Sequence, residues 1–232
     1  MIIDTSFDFR NDAGGKDPDL FSPTLRRYHQ HLWSRPLPSG GLFSLDTSTP
    51  FGYLHHRSNL GEFWLSSDAV IPTFGGWLAM SPLISQLQPH ELEDFTAAGY
   101  TMGGMMVFPG NKVNGKLTIN GARGFLRRIA DRMDLTLECI RRHYQDHDSP
   151  LVETLNRYRD FFALFGDFRG YSEFFLLQDL LTDDLTAVNF FLPFHDFQLP
   201  AVPLDLDTYR RYRDLSIRFI EHRNHRINTL TA

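Results

Sequence analysis

The spacing of the hydrophobic residues changes near residue 120, and this change constrains the fold more than any single motif. Before it, apolar residues come in short runs separated by turn formers. Phe43–Leu45, 52–55, Glu62–Leu65 and Tyr100–Phe108 read as strands, with turns at 48–50 and Asn59-Leu60-Gly61. After it, they recur at three- and four-residue intervals. Examples are Phe125, Ile129 and Met133; Leu151, Leu155, Tyr158 and Phe162; and Tyr209, Tyr212, Ser216, Ile220, Ile227 and Leu230. Ser22-Pro23 marks an early helix start, Ser81 to Ala98 holds one or two short helices, and Val188–Leu192 reads as one late strand. Strands before helices predict an α+β fold rather than an alternating α/β sheet. Asn114-Gly115 is the strongest short turn signal, and it predicts a β-hairpin over about 105–120, packed on a helical C-terminal half.

The composition suits one core. Of 232 residues, 42% are hydrophobic and 14% aromatic, with 21 Phe, and no repeat or linker divides the chain. A single domain over 1–232 is expected. No apolar run approaches the roughly 18 residues of a membrane span, and Met1-Ile2-Ile3-Asp4 does not begin a secretory leader. A cytoplasmic protein without membrane contact is therefore expected. The one cysteine, Cys139, excludes an intrachain disulfide and reads as a packed thiol among Leu135, Leu137 and Ile140. A net charge of −5 argues against the broad basic face of a duplex DNA binder, while leaving room for a local basic pocket.

Two groups of residues read as a site. If Asn114 and Gly115 close a hairpin, Asn111 and Asn120 share its polar face beside Lys112. Asn120-Gly121-Ala122-Arg123-Gly124 then leads into a helix. Free amides at a helix start, glycines that allow close approach and the Arg123 charge suit a phosphate. On this reading Arg123→Ala weakens binding without lowering the melting temperature. The second group is His55 and His56 with Asp68, a pairing that suits acid–base work if the carboxylate orients an imidazole. Arg10 and Asp12, in the polar opening segment, are expected to close over the site.

Other patterns read as structural. Asp12, Asp17 and Asp19 lack the spacing of an EF-hand. His143 and His147 share a helix face but lack the glutamate of an HExxH site, so no metal is expected. Arg218 and His222 stand too close together for the Arg–His motif of helical ribonucleases. No nucleophile elbow, kinase set or CxxC is present, and no pattern names a cofactor.

Three stretches carry a family resemblance: Ser22–Gly40, Asn120–Tyr144 (with Asp-Leu-Thr-Leu-Glu-Cys-Ile-Arg-Arg-His-Tyr) and Gly170–Leu181 (with Tyr-Ser-Glu-Phe-Phe-Leu-Leu-Gln-Asp-Leu-Leu). They resemble an uncharacterised bacterial family of hypothetical proteins, a domain of unknown function of about this size. The resemblance implies a bacterial source and brings no activity, cofactor or catalytic residue. The residues themselves lead to an enzyme or effector acting on a phosphate-bearing ligand, a nucleotide or RNA. The alternative is a non-enzymatic module, a component of a defence or toxin system, that holds a protein partner on the aromatic stretch Phe161–Phe175.

Overall fold

A three-stranded antiparallel sheet, order β1-β2-β3, positions everything else. The computed structural model describes residues 1–49 and 53–231. β1 (Leu54–Ser58) and β2 (Gly61–Ala69) form a hairpin that turns at Asn59-Leu60, pairing Ser58 with Gly61 and His56 with Phe63. Gly61 has φ +140°, a conformation open to glycine. β3 (Met105–Pro109) returns from far along the chain to pair with the free edge of β2, setting Asp68 opposite Met106. Along β2 the side chains of Phe63, Leu65 and Ser67 are buried while Glu62 and Trp64 are exposed, as strand alternation requires.

The helices surround this sheet. α1 (Pro18–Phe21) packs against β2, and α2 (Pro23–Trp33) follows at once. Ser22 caps α2 as its sequence predicts, accepting from the Leu25 amide, with Pro23 in the first turn. Next come α3 (Ser81–Ile84), α4 (Pro89–Gly99), α5 (Ile119–Phe125), α6 (Met133–Tyr144), α7 (Val152–Asn156), α8 (Arg159–Ala163), α9 (Phe168–Phe174) and α10 (Leu206–Thr231). The architecture is α+β, with its strands in the first half of the sequence. One continuous set of buried apolar side chains runs from Ile3 to Ile227.

α10 ties the ends of the sheet together. Arg223 is fully buried and donates to the carbonyls of Gly103, Met105 and Phe175. Tyr209 and Tyr212 donate to the carbonyls of Thr73 and Pro72, each at 2.9 Å. Gly103 and Gly104 lie where β3 begins. A Cβ on Gly103 would stand 2.4 Å from the Ile220 carbonyl oxygen, and one on Gly104 2.1 Å from that of Gly99. At both positions only glycine permits the close approach of backbone that the fold requires.

Four expectations are corrected. There is no hairpin at 105–120. Asn114 and Gly115 do turn, with φ of 52° and 70°, but the chain then enters α5, because the Thr118 side chain accepts from the Gly121 amide and caps a helix. Phe43–Leu45 is not a strand; its side chains of Phe43 and Leu45 are buried between single bridges at Leu42 and Asp46. Val188–Leu192 forms only one bridge, Val188 to Leu181. Phe125 is 75% exposed rather than on the inner face, because α5 ends there and the chain turns before Met133. The strand expected over 52–55 and the turn over 48–50 lie partly outside the described residues.

Candidate functional site

Two carboxylates meet one buried guanidinium, and a third lines the same cleft. Arg123 lies in the last turn of α5 and is fully buried. Its Nε donates to Thr136 Oγ1 at 2.9 Å. Its Nη1 donates to the Asp68 carboxylate, and its Nη2 to the carbonyls of Asp131 at 2.6 Å and Val70 at 3.3 Å. The Asp131 carboxylate lies 3.3 Å from Nη2. β2 supplies Asp68, the turn before α6 supplies Asp131, and α1 supplies Asp19. All three line an open cleft of about 770 Å³ with Arg10, Lys16, Phe74, Trp77 and Tyr100.

The backbone is unusual at the cleft wall. Phe74 (φ 61°) and Asp131 (φ 62°), with Ala130 (φ 49°), occupy the left-handed region that non-glycine residues seldom adopt. Tyr209 and Tyr212 hold the segment before Phe74, and the hydrogen bonds of Arg123 to Asp131 hold the other turn. Backbone strain persists only where surrounding contacts fix it, and it concentrates at functional sites.

Three carboxylates around one cation cannot all ionise cheaply. Burial raises the Asp19 carboxyl to about 6, against the hydrogen bond of the Ser67 hydroxyl and with the help of the neighbouring Asp17 charge. Asp19 Oδ1 is buried without a hydrogen-bond partner. Burial also holds Asp68 well above the usual carboxylate range. Arg123 draws it down, while Asp131 and Asp19 push it up. Asp131 shifts the same way, burial outweighing Arg123. Since the guanidinium supplies one positive charge to three carboxyl groups, the cluster holds its protons more tightly than free carboxylates do. Burial likewise raises the Tyr100 hydroxyl.

A buried chain of polar side chains leads toward Asp19. Trp33 Nε1 donates to His29 Nδ1 at 3.0 Å, and His29 Nε2 lies 2.9 Å from Ser67 Oγ. An indole N–H can only donate, so His29 Nδ1 accepts and Nε2 carries the proton. His29 then donates to Ser67, whose own proton is left for Asp19. Burial lowers the His29 pKa to about 3, with the Arg223 charge helping, so the imidazole is neutral.

The residues singled out in the sequence divide into two sets. Asp68, Arg123 and Arg10 come to this cleft; Arg10 bonds Asp8 and Glu93 and lies over the Tyr100 ring. Arg123 does not present its guanidinium to a ligand. It sits in the last turn of α5, inside the protein, and is held by carboxylates. Asn120 stands nearby, donating to Ser66 Oγ at 3.1 Å, with Oδ1 buried and unpartnered. The others go elsewhere. His56 is buried against Phe43 and Phe63 and bonds the Ser44 carbonyl. His55 pairs across the sheet with Trp64 and lies 3.7 Å from Glu62. Asp68 is four residues beyond Trp64 on β2, about 13 Å at 3.3 Å per residue, so neither His is oriented by it. Asp12 accepts from Ser22 Oγ and the Thr24 amide and fixes the start of α2. Asn111 and Lys112 are exposed on the turn, where the Asn111 carbonyl accepts from Tyr158. Gly124 is exposed near the end of α5, not at its start.

Asp131, Tyr100, Trp77 and His29 were missed. Asp19 was weighed only as a member of a solvated acidic segment. Burial separates these residues from ordinary surface acids and core aromatics, and no local pattern encodes it. The remaining motifs behave structurally. Cys139 is buried and its thiol is pushed up to about 12. His143 packs on Phe162 while His147 is exposed. Among the described residues no three His, Cys, Asp or Glu side chains form a metal-holding group. The Phe rings of Phe161–Phe175 are interior, packed on one another and on Trp33. Among the described residues no helix is long and apolar enough to cross a membrane.

Residues 3–227 match the model of a family described as a family of unknown function (DUF6994). No curated protein and no solved structure matches the chain.

Proposed function

The chain belongs to the DUF6994 family, and we propose that it is an acid–base enzyme cleaving a glycosidic bond in the Asp19–Asp68–Asp131 cleft. The observation that carries this reading is Asp19 itself. It is a part-buried carboxyl with an unpartnered oxygen, titrating near 6, beside two carboxylates already committed to a buried arginine. Carboxyl groups whose surroundings push their protonation apart divide into acid and base. Glycoside cleavage needs that division: one carboxylic acid protonates the leaving group, and one carboxylate stabilises the cationic sugar or activates water.

In this cleft Asp19 gives and takes the proton. Ser67, whose Oγ accepts from His29, keeps its own proton free to be directed at Asp19, and this lowers the carboxyl against its burial. Arg123 supplies the one positive charge that favours an ionised carboxylate at Asp68 or Asp131, the group that would oppose Asp19. Trp77 and Tyr100, both part-exposed, provide ring faces for a sugar or a base. The acidic balance suits a neutral substrate such as a glycoside or nucleoside.

A second reading keeps the phosphate-bearing ligand, because Arg10 and Lys16 line the same cleft. In that case the group bound is a nucleotide whose phosphate lies at the rim.

Chromogenic glycosides, nucleosides and nucleotides, screened for turnover and for thermal stabilisation, test both. Turnover that falls more than about 100-fold in Asp19→Asn, in a protein that still folds, is expected. Stabilisation by nucleotides but not nucleosides selects the second reading. Turnover of no substrate, with no ligand stabilising the fold, overturns both.

A further inference from the structure

Between Asp94 and Asp131 the chain contains no acidic residue and five cations: Lys112, Lys116, Arg123, Arg127 and Arg128. In a chain of net charge −5 this is a pronounced local excess. Arg123 is consumed inside. The other four are exposed, and among the described residues none forms a salt bridge. They lie on the turn before α5 and the turn after it, Lys116 in one groove with Phe125 and Arg127 in a separate one with Trp77, Pro82 and Pro200. Between them α5 presents Phe125, 75% exposed, and the preceding turn presents Leu117, 44% exposed. Lys116, Leu117 and Phe125 line one shallow groove with Arg157, whose Nη2 donates to the Leu117 carbonyl at 2.8 Å. Glu153 is the one acid lining that groove among the described residues.

We infer that a single-stranded nucleic acid runs along α5, held by Lys112 and Lys116 at one end and by Arg127 and Arg128 at the other, with Phe125 as a stacking platform for a base. Unpaired exposed cations attract a polyanion and gain by releasing its counterions. An exposed aromatic ring among them suits a strand whose base faces are open, and every base has such a face. A duplex hides those faces, and the overall negative charge of the chain disfavours a long duplex track. Gly124, exposed beside Phe125 with open space where a Cβ would stand, lets a strand approach the helix closely.

The inference is independent of the cleft, so a cleft variant serves as its control. Fluorescence anisotropy with unstructured 20-nucleotide RNA and DNA probes reads it directly. Binding is expected to weaken about fifty-fold between 50 and 200 mM salt, as four phosphate contacts on a single strand imply. Phe125→Ala is expected to weaken binding about tenfold. The Arg127→Ala/Arg128→Ala double variant is expected to lower both affinity and salt dependence. Asp19→Asn and Arg169→Ala are expected to leave binding unchanged. RNA and DNA are expected to bind within a few-fold of each other, since neither stacking nor phosphate contact reads the 2′-hydroxyl. All substituted side chains except Asp19 are exposed, so loss of folding is not expected to confuse the result. Absence of binding at 50 mM salt, equal binding by the Phe125 and arginine variants, or binding to phosphatidylserine vesicles without binding to either oligonucleotide overturns the proposal.

Discussion

Arg123 and Asp68 form an ion pair in which the arginine is fully buried and the carboxylate opens onto the cleft. Removing the guanidinium strands two carboxylates and frees the Asp131 turn. Arg123→Ala is therefore expected to destabilise the fold by about 3–5 kcal/mol, the usual effect of breaking a buried pair from one side. This reverses the expectation from sequence alone, in which Arg123 was a ligand-binding group free of structural duty. Urea unfolding decides it: a variant of unchanged midpoint shows that the cleft does not depend on the pair.

The titration of Asp19 makes stability depend on pH in a defined direction. Its carboxyl ionises near 3.8 in the unfolded chain and near 6 in the fold. Between those values the native state binds more protons, so stability from this group falls as pH rises from about 4 to 6. Asp19→Asn removes the penalty. It is expected to match the parent at pH 4 and to exceed it by about 1–2 kcal/mol at pH 7.5, after allowance for part exposure. Unfolding curves at the two pH values check this. A variant less stable than the parent at pH 7.5 indicates that ionised Asp19 makes a stabilising contact in the fold.

Legibility in the sequence followed the range of the interaction. The Ser22 cap, the Asn59-Leu60-Gly61 turn, the Tyr209–Ile227 stripe of α10 and the segregation of strands from helices are set by neighbours within a few residues, and all could be read. The 105–120 hairpin failed although its turn formed, because Thr118 offers a helix cap and β2 already provides an open edge for β3. Asp68 and Arg123 were both singled out, yet their meeting across 55 positions was invisible. Asp19 and Asp131 resemble any exposed acid until tertiary burial raises their pKa. The two histidines drew attention by their chemistry, but strand alternation sends His56 into the core.

Glycine positions separate backbone crowding from flexibility. A methyl group on Gly104 would stand 2.1 Å from the Gly99 carbonyl oxygen, at the point where α4 meets β3. Backbone on both sides cannot yield cheaply, and Gly104→Ala is expected to lose more than about 2 kcal/mol. Gly124 lies in α5 with nothing near its missing Cβ, so Gly124→Ala is expected to gain about 0.5–1 kcal/mol through helix propensity. Thermal melts of the two variants should move in opposite directions. If both fall alike, helix α5 is frayed at Gly124 and its propensity contributes nothing.

The buried contact between Trp33 and His29 fixes a tautomer that reaches the cleft. Because the indole donates to Nδ1, His29 must hold its proton on Nε2 and present it to Ser67. With a pKa lowered to about 3, His29 is expected to stay neutral and in the Nε2–H form from pH 5 to 8, which nitrogen-15 NMR of the imidazole reports directly. Trp33→Phe leaves Nδ1 buried without a donor. It is expected to cost about 1–3 kcal/mol for the unsatisfied acceptor, in addition to lost packing. The same substitution frees His29 to change tautomer, so that Ser67 can donate to Nε2 instead of to Asp19. The Asp19 carboxyl is then expected to rise above 6, because one group that lowers it has turned away. A carbon-13 titration of Asp19 that is the same in Trp33→Phe and the parent shows that the chain of hydrogen bonds ends at Ser67 and does not reach the carboxylate.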